Sequence, residues 1–279
     1  MILNYMEKLV RDEKARGSND LYIRSTLKEY LQALVLEYIY TSREYKSVFV
    51  FTGGTCLRHV FGLERLSEDL DFDLLEEIDS EKLAEQIQKY FTSKMKYEDL
   101  DVAVKQQGRQ ILLKFPCLRK LSLANESESD LLHIKMDLSR IVGESYVTEK
   151  TAKSVFGLNF VILHYDLSSL FSTKVTAILT RNLLLGKENT QTLKGRDFFD
   201  LLWYLKKGVK VNLLFVQERL GKKVTKEELK KRLYEKVELA TTKFKSDFKN
   251  DLLPFIDNRE FVEDYVENYS DEFKRYALR

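Results

Sequence analysis

Two short stretches in the first third of the chain carry residues that could do phosphate chemistry. The first is the segment 52–55, Thr-Gly-Gly-Thr, and the second places Asp69, Asp71 and Asp73 at alternate positions. Paired glycines allow backbone angles and a close ligand approach that a Cβ would forbid. Alternate carboxylates of a strand share one face, where a divalent cation relieves their repulsion. The spacing predicts a glycine turn that binds a nucleoside triphosphate (NTP) beside carboxylates that bind Mg²⁺ or Mn²⁺.

The elements that must position these residues can be predicted from the flanking sequence. The β-branched and aromatic run 48–51 predicts a buried strand that the glycines end. Thr55 is then expected to cap a helix over 56–61, whose free N–H groups would form a seat for phosphate. Gly53, Gly54 and Thr55 are therefore candidate nucleotide-binding residues, and a second strand should begin at the aspartates.

A later segment offers a third carboxylate. Residues 133–139 alternate, with Ile134, Met136 and Leu138 facing a core and Asp137 on the other face. If this strand pairs with the strand of Asp69, Asp137 joins the acidic face, although the spacing is equally that of a surface aspartate. Asp69, Asp71 and Asp137 are thus the candidate metal ligands.

The composition bounds the class of protein. The chain has 279 residues, of which 44% are hydrophobic and 32% are charged, enough for one large domain or two closely associated ones. Only 2 prolines and 11 glycines predict a helix-rich fold, and a net charge of +2 does not indicate general nucleic-acid binding. The 2 cysteines form neither a disulfide framework nor a metal motif. With no visible secretion signal or membrane-spanning run, we expect a protein of the reduced cytoplasm.

The remaining patterns predict a mixed α/β half followed by an all-helical half. The boundary is expected near Asp166, which separates an α/β domain over 1–166 from a helical domain over 167–279 that packs against it. The predicted elements are helices over 5–15, 21–45 and 79–95, a hairpin over 101–104 and 110–115, one strand over 153–165, and helices over 170–185, 196–206, 212–220 and 226–243, with two more near the C terminus.

The helical half carries a second cluster of charged residues. Spacings of three and four place Lys174 and Arg181 near one face of a helix. Arg196 and Asp200 are four residues apart and can pair, and Asp197 lies close to them. By themselves these are the spacings of ordinary surface charge pairs.

Taken together, these motifs resemble the AbiEii/AbiGii toxin family of polymerase-β-like nucleotidyltransferases. The resemblance covers roughly residues 48–205 and rests on motifs in the same order. They are the Gly-Gly-Thr-Cys-Leu of 53–57, the Arg-x-Ser-x-Asp-Leu-Asp-Phe of 65–72, Lys174, and the Lys-x-Arg-Asp-x-x-Asp-Leu of 194–201. Mycobacterial MenT toxins are relatives. The resemblance implies an α/β (α+β) fold, in which helices flank a mixed sheet and a helical bundle follows it.

The resemblance also implies an activity and roles for residues. The family transfers a nucleoside monophosphate from an NTP to an acceptor hydroxyl, as toxins of bacterial toxin–antitoxin or phage-defence systems. The implied catalytic residues are Asp69, Asp71, Asp137, Lys174 and Asp197. Lys174 would contact the triphosphate as a compact charge, and Asp197 would orient Lys174 or the nucleotide. Ser67 and Arg196 complete the implied nucleotide-binding set, with Arg196 also able to hold its helix by pairing.

The implied acceptor is the 3′ end of tRNA, and a cognate antitoxin is a possible further partner. We expect a monomeric chain that does not associate with a membrane. Two other functions stay open: a regulatory protein that binds NTP without turnover, and an enzyme that modifies a tyrosine or serine hydroxyl of a protein. The intact carboxylates favour an enzyme over a pure binder. A phosphate on Ser67 would add about −1.5 to −2 charges beside the metal site; the alternative is that Ser67 caps the turn before Asp69.

Overall fold

The computed structural model describes residues 2–181 and 193–277. The chain forms two compact units, one of residues 1–141 and 149–164, the other of residues 142–148 and 165–279. A short segment of the α/β half, 142–148, thus belongs with the helices. The first eleven main elements are α1 Ile2–Ala15, α2 Asp20–Thr41, β1 Phe49–Thr52, α3 Gly53–Phe61, β2 Leu70–Leu74, α4 Ser80–Ser93, β3 Asp101–Lys105, β4 Gln110–Pro116, β5 Leu131–Arg140, β6 Thr148–Val155 and β7 Leu158–Tyr165.

The strands form one seven-stranded mixed sheet in the order β3-β4-β5-β2-β1-β7-β6. The predicted hairpin is confirmed as the antiparallel pair β3–β4. Strand β2 runs antiparallel to β1 and parallel to β5. The apolar residues of the central strands meet in the core, where Phe72 packs against Phe49 and Phe51 with ring centroids 5.2 and 5.3 Å apart. This packing fixes which face of β2 is left for the aspartates.

Helix α2 is more deeply buried than its sequence pattern predicts. The apolar stripe of this segment predicts one buried face, yet every residue from 30 to 37 is buried, including Gln32 and Glu37. The helix also ends at Thr41 rather than at Tyr45. Such a helix is a central element of the first unit, and its buried polar side chains need partners there.

The prediction of a single strand over 153–165 is wrong, because the chain reverses direction within this segment. Phe156 and Gly157 both have positive φ angles, 52° and 77°. A two-residue connection with two positive φ angles joins antiparallel strands as a hairpin turn. The segment is therefore the end of β6, a tight turn, and β7.

The second unit is built from helices. Its elements are α5 Leu167–Thr180, α6 Gly195–Lys206, α7 Leu213–Leu220, α8 Lys226–Thr241, α9 Lys245–Leu252 and α10 Arg259–Ala277. Asp166 caps α5 by accepting a hydrogen bond from the Ser169 amide at 2.8 Å. Helix α5 ends at Thr180, and the predicted end at Leu185 lies outside the described residues. The segment 142–148 joins this unit through the Glu218 carboxylate, which accepts hydrogen bonds from the amide and hydroxyl of Ser145 at 3.0 and 2.7 Å.

Helix α3 carries a buried histidine that makes stability depend on pH. His59 is 3% exposed, and its Nε2 has no hydrogen-bond partner among the described residues. Burial lowers the pKa of His59 to about 4; Lys153 and Arg58 act in the same direction, and Glu29 opposes them. The imidazole is therefore neutral in the folded protein at neutral pH, whereas it takes up a proton near pH 6.5 in the unfolded chain.

We expect acid to destabilise the protein through His59. A depressed folded-state pKa favours unfolding as the pH falls from about 6.5 towards 4, because only the unfolded chain then binds the proton. Between pH 7.5 and pH 5.0 this contribution is about 2 kcal/mol. Urea unfolding of the wild type and of His59→Leu at both pH values measures it. The variant should lose this part of the pH dependence; an unchanged difference between the two pH values would show that His59 is not the responsible group.

Candidate active site

The glycine turn lies between β1 and α3, and the helix begins earlier than the sequence predicts. The helix begins at Gly53 with Thr52 as its N-cap, so the expectation that Thr55 caps a helix starting at Cys56 is wrong. Thr55 lies in the first turn, fully buried, and its hydroxyl hydrogen-bonds to Ser67 Oγ at 2.8 Å and to the Asp69 carbonyl. The hydroxyl therefore ties the glycine turn to the segment that leads into β2.

Each glycine of the turn allows a close approach of another side chain. Gly53 has a φ of 74°, and a Cβ at this position would lie 2.8 Å from Cγ of Asp71. A Cβ on Gly54 would lie 2.6 Å from Nη2 of Arg65 and 3.2 Å from Ser67 Oγ. Gly53 thus lets the turn pack closely against the acidic strand, and Gly54 lets it pack against the loop that precedes that strand.

The strand register brings the predicted carboxylates together. Strands β2 and β5 pair with Asp71 opposite Asp137, and on its other side Asp71 lies opposite Thr52 of β1. This confirms the predicted pairing of the two segments. Asp69 lies immediately before β2, and it is near enough to Asp137 for the charge of Asp137 to raise its pKa. We call Asp69, Asp71 and Asp137 the acidic edge.

Two polar side chains compensate part of the charge at the acidic edge. Gln110 donates a hydrogen bond from Nε2 to Oδ1 of Asp137 at 2.7 Å, and Lys135 Nζ lies 3.4 Å from Oδ2 of Asp69. Burial raises the pKa of Asp69. The charges of Glu68 and Asp137 raise this pKa further, and Lys135 opposes the shift. Burial and the neighbouring acids together therefore favour the protonated form of Asp69.

The acidic edge fits the way in which proteins hold Mg²⁺. Within residues 2–181 and 193–277 no group of three or more acidic, histidine or cysteine side chains has the arrangement of a metal site. Asp71 and Asp137 nevertheless occupy paired positions, and Mg²⁺ commonly uses one or two carboxylates together with substrate phosphates. Asp73, opposite Ser139, is only 3% exposed and belongs to the interior rather than to the acidic edge.

The loop 65–68, which precedes the acidic edge, is held in place by hydrogen bonds from buried polar side chains. Gln32 of α2 donates hydrogen bonds to the carbonyls of Ser67 and Glu68 at 3.1 and 2.8 Å. Arg65, 2% exposed, donates from Nη1 to the Leu66 carbonyl at 2.8 Å. Ser67 is itself buried and hydrogen-bonded to Thr55. This geometry favours a role of Ser67 in positioning the loop over a role as a phosphorylation site, since a buried hydroxyl is not presented to a kinase.

The second unit contains a separate group of paired charges, which we call the ionic cluster. Lys174 Nζ lies 2.8 Å from Oδ1 of Asp197 and 2.8 Å from Oδ2 of Asp200, and Arg181 also pairs with Asp197. Burial alone would raise the pKa of Asp197, but Lys174 and Arg181 outweigh it and lower the pKa to about 2. Asp197 does contact Lys174, as expected of a residue that orients it.

Arg196 has a partner that the sequence analysis did not identify. Its backbone N and its Nε lie 2.9 and 3.2 Å from Oδ2 of Asp251, and its guanidinium lies 4.3 Å from the ring centroid of Phe255. The preceding Gly195 packs against Phe248, where a Cβ would lie 2.7 Å from Cδ2 of that ring. These contacts fix the start of α6 against α9 and agree with a role of Arg196 in holding its helix.

Three supporting residues of the acidic edge were missed by sequence reasoning. Gln32 lies in an apolar helix, Gln110 at the start of a strand, and Lys135 two residues before Asp137. Only Lys135 left a signal, because it shares the face of Asp137 in an alternating strand. The two glutamines act across elements that are far apart in sequence, so no spacing reveals them.

A mixed sheet in which a strand ends at a Gly-Gly turn beside an acidic strand defines a nucleotidyltransferase fold. The family model of the nucleotidyl transferase AbiEii toxin, a type IV toxin–antitoxin system, matches residues 36–277. The chain therefore belongs to the AbiEii nucleotidyltransferase toxin family. A search of curated protein sequences gave no match.

A solved structure of a nucleotidyltransferase toxin shares this fold. MenT4, a nucleotidyltransferase toxin from Mycobacterium tuberculosis, superposes with a TM-score of 0.57 at 14% identity, over 97% of this chain and 92% of that chain. JHP933 from Helicobacter pylori gives a TM-score of 0.48 at 16% identity, over 91% of this chain and 92% of that chain.

None of the helices in the described part of the chain combines the length and the apolar character needed to cross a bilayer.

We expect Gly53→Ala to damage the acidic edge as well as the backbone. Gly17 provides the matched control, because its φ of 84° imposes similar backbone strain while no atom lies within 4 Å of a Cβ built there. Gly17→Ala should cost about 1 kcal/mol of stability from the left-handed conformation alone. Gly53→Ala should cost more, because the new Cβ displaces Asp71. Chemical denaturation of both variants measures the difference, and equal losses would show that the Asp71 contact is not a constraint.

Lys174→Ala is expected to destabilise the second unit. The substitution leaves the carboxylates of Asp197 and fully buried Asp200 without their shared cation, and breaking a buried ion pair costs about 3–5 kcal/mol. Exposed Lys222→Ala should change stability by less than about 0.5 kcal/mol. Urea denaturation compares the two variants. If Lys174→Ala unfolded at the wild-type urea concentration, the ionic cluster would have no structural role.

Proposed function

We propose that this protein transfers a nucleoside monophosphate from an NTP to an acceptor hydroxyl, with a divalent cation at the acidic edge, and that the acceptor is the 3′ end of tRNA. The observation that carries the proposal is the register of β2 and β5, which sets Asp71 beside Asp137 at the foot of the glycine turn. A transferring phosphate needs cationic stabilisation of the charge that develops on it and on the leaving pyrophosphate. A metal on paired carboxylates supplies this stabilisation.

The residues of the first unit divide the work. Asp71 and Asp137 would hold Mg²⁺ or Mn²⁺, and Asp69 would complete the carboxylate set, while the cation would polarise the α-phosphate. The Gln110 hydrogen bond to Oδ1 of Asp137 leaves Oδ2 of that carboxylate for a metal or for an acceptor hydroxyl. The amide groups at the start of α3 offer hydrogen-bond donors to the phosphates.

The second unit contributes fewer residues to the proposed reaction than the first unit does. Lys174 is the family's candidate for contact with the triphosphate, but its ammonium group already has two carboxylates at 2.8 Å. Its charge is therefore largely neutralised, and we expect a smaller effect on phosphate binding than a lone lysine would give. In this proposal Asp197 orients Lys174, and Arg196 fixes the helix that carries Asp197.

Asp71→Asn is the sharpest test of the metal site. The amide keeps the shape of the side chain and removes its charge, so transfer should fall by roughly a hundredfold or more. Stability should be retained or increased, since a repelling charge is removed from the acidic edge. Exposed Asp101→Asn on β3, which loses only its pair with Lys114, is the matched control and should keep full activity. A fully active Asp71→Asn protein would refute the metal site.

The acceptor is identified by incubating the protein with each labelled NTP, Mg²⁺, and either total tRNA or lysate protein. Label in tRNA that disappears with Asp71→Asn supports the proposal. Label in protein would favour a protein-modifying transferase, which uses the same carboxylates on a tyrosine or serine hydroxyl. NTP binding without label in either pool would favour the regulatory binder. A growth assay of cells that express wild type or Asp71→Asn tests the toxin function independently of the acceptor.

A further inference from the structure

The second unit contains an apolar cavity that is separate from the ionic cluster. Its volume is about 290 Å³, and its lining comes from α5, α6, α8 and α10 and from the segment after α6. Phe171, Leu229 and Phe273 form its buried wall, each less than 5% exposed. Leu205 and Val209, also in the lining, are only half-buried. Apolar side chains that are left partly exposed inside a concavity gain free energy from an apolar ligand that covers them.

The charged residues that line this cavity all have the same sign. Lys210, Lys226 and Lys230 belong to the lining, which includes no aspartate or glutamate. All three side chains are exposed, and within the described parts of the chain none of them forms an ion pair. Lys226 also stands at the first position of the 16-residue helix α8, where the helix dipole adds to the positive potential. The cavity is therefore apolar within and positive at its rim.

The size of the cavity limits what can enter it. One turn of an α-helix with its side chains fills a cylinder about 10 Å wide and 5.4 Å long, or roughly 420 Å³. The cavity, at about 290 Å³, is smaller than this cylinder and does not enclose a whole helical turn. The volume is instead near the lower end of the range of small-molecule sites, about 300–1,000 Å³. A slender apolar chain is the shape that fits.

We propose that this cavity binds a single-chain amphiphile with an anionic head group, of the chemical class of a free fatty carboxylate. The alkyl chain lies against Phe171, Leu229 and Phe273, and the carboxylate lies among Lys210, Lys226 and Lys230. No step of nucleotidyl transfer uses these residues, so the site is independent of the proposed function. Occupancy would stabilise the helical unit, because a ligand that binds only the folded state shifts the folding equilibrium.

Monomeric decanoate tests the proposal by calorimetric titration and by its effect on the melting temperature of the full chain. Decanoate should bind one molecule per chain and raise the melting temperature. Decanol, which has the same number of carbon atoms and no charge, should bind at least about tenfold more weakly. Decyltrimethylammonium should not compete. Absence of decanoate binding, or equal affinity for decanol and decanoate, would overturn the proposal.

Two kinds of variant locate the site. The double variant Lys226→Glu and Lys230→Glu should fold, since both side chains are exposed, and should weaken decanoate binding about tenfold or more. Lys222→Glu with Lys231→Glu makes the same charge change outside the lining and should leave the affinity within about twofold. Leu233→Trp, which fills part of the cavity, should also weaken binding. Equal losses in both charge variants, or pelleting with phosphatidylglycerol vesicles without binding of monomeric decanoate, would refute a cavity site.

Discussion

The pairing of β2 with β5, which sets Asp71 beside Asp137, is the constraint on which the acidic edge depends. Neighbouring strands lie about 4.8 Å apart, so carboxylates at paired positions repel one another when both are ionised. Paired strands nevertheless hold the two carboxylates in place, because Phe72 anchors the opposite face of β2 in the core. Gln110 satisfies one carboxylate oxygen without supplying charge.

The two groups of charged residues differ in composition. In the ionic cluster, the cations Lys174 and Arg181 pair with the carboxylates of Asp197 and Asp200. At the acidic edge three carboxylates lie together, and Lys135 pairs with Asp69. A buried ion pair fixes the elements that carry it, whereas neighbouring carboxylates favour an additional cation. The comparison supports a structural contribution of the ionic cluster and supports the metal site proposed for the acidic edge.

Features that depend on neighbouring residues could be predicted from the sequence, whereas contacts between residues far apart in the chain could not. Strand alternation is local, so the faces of 133–139 and of Asp71 and Phe72 were predicted correctly, whereas the burial of Asp73 was not. The pairing of the two strands followed from matching their acidic faces. The hairpin at Phe156 was missed because a bulky residue rarely adopts a positive φ and so gave no turn signal. Thr55 was mistaken for a cap because capping statistics do not register a hydroxyl that is already bonded to a neighbouring loop. The pairing of Arg196 with Asp251 joins residues 55 positions apart, beyond the reach of any local pattern.

The carboxylates of the acidic edge have a consequence for how the proposed substrates would bind. A free triphosphate would be repelled by Asp71 and Asp137, and a Mg²⁺ ion without nucleotide would have only the ligands that the protein and water supply. Each ligand supplies the charge that the other lacks, so the metal and the NTP should raise each other's affinity by the same factor. The closeness of Gly53 to Asp71 would strengthen this coupling, because a phosphate bound at the start of α3 would lie next to the carboxylates. In the proposed function, the glycine turn and the aspartate strand would therefore act as one binding site for a metal–nucleotide complex.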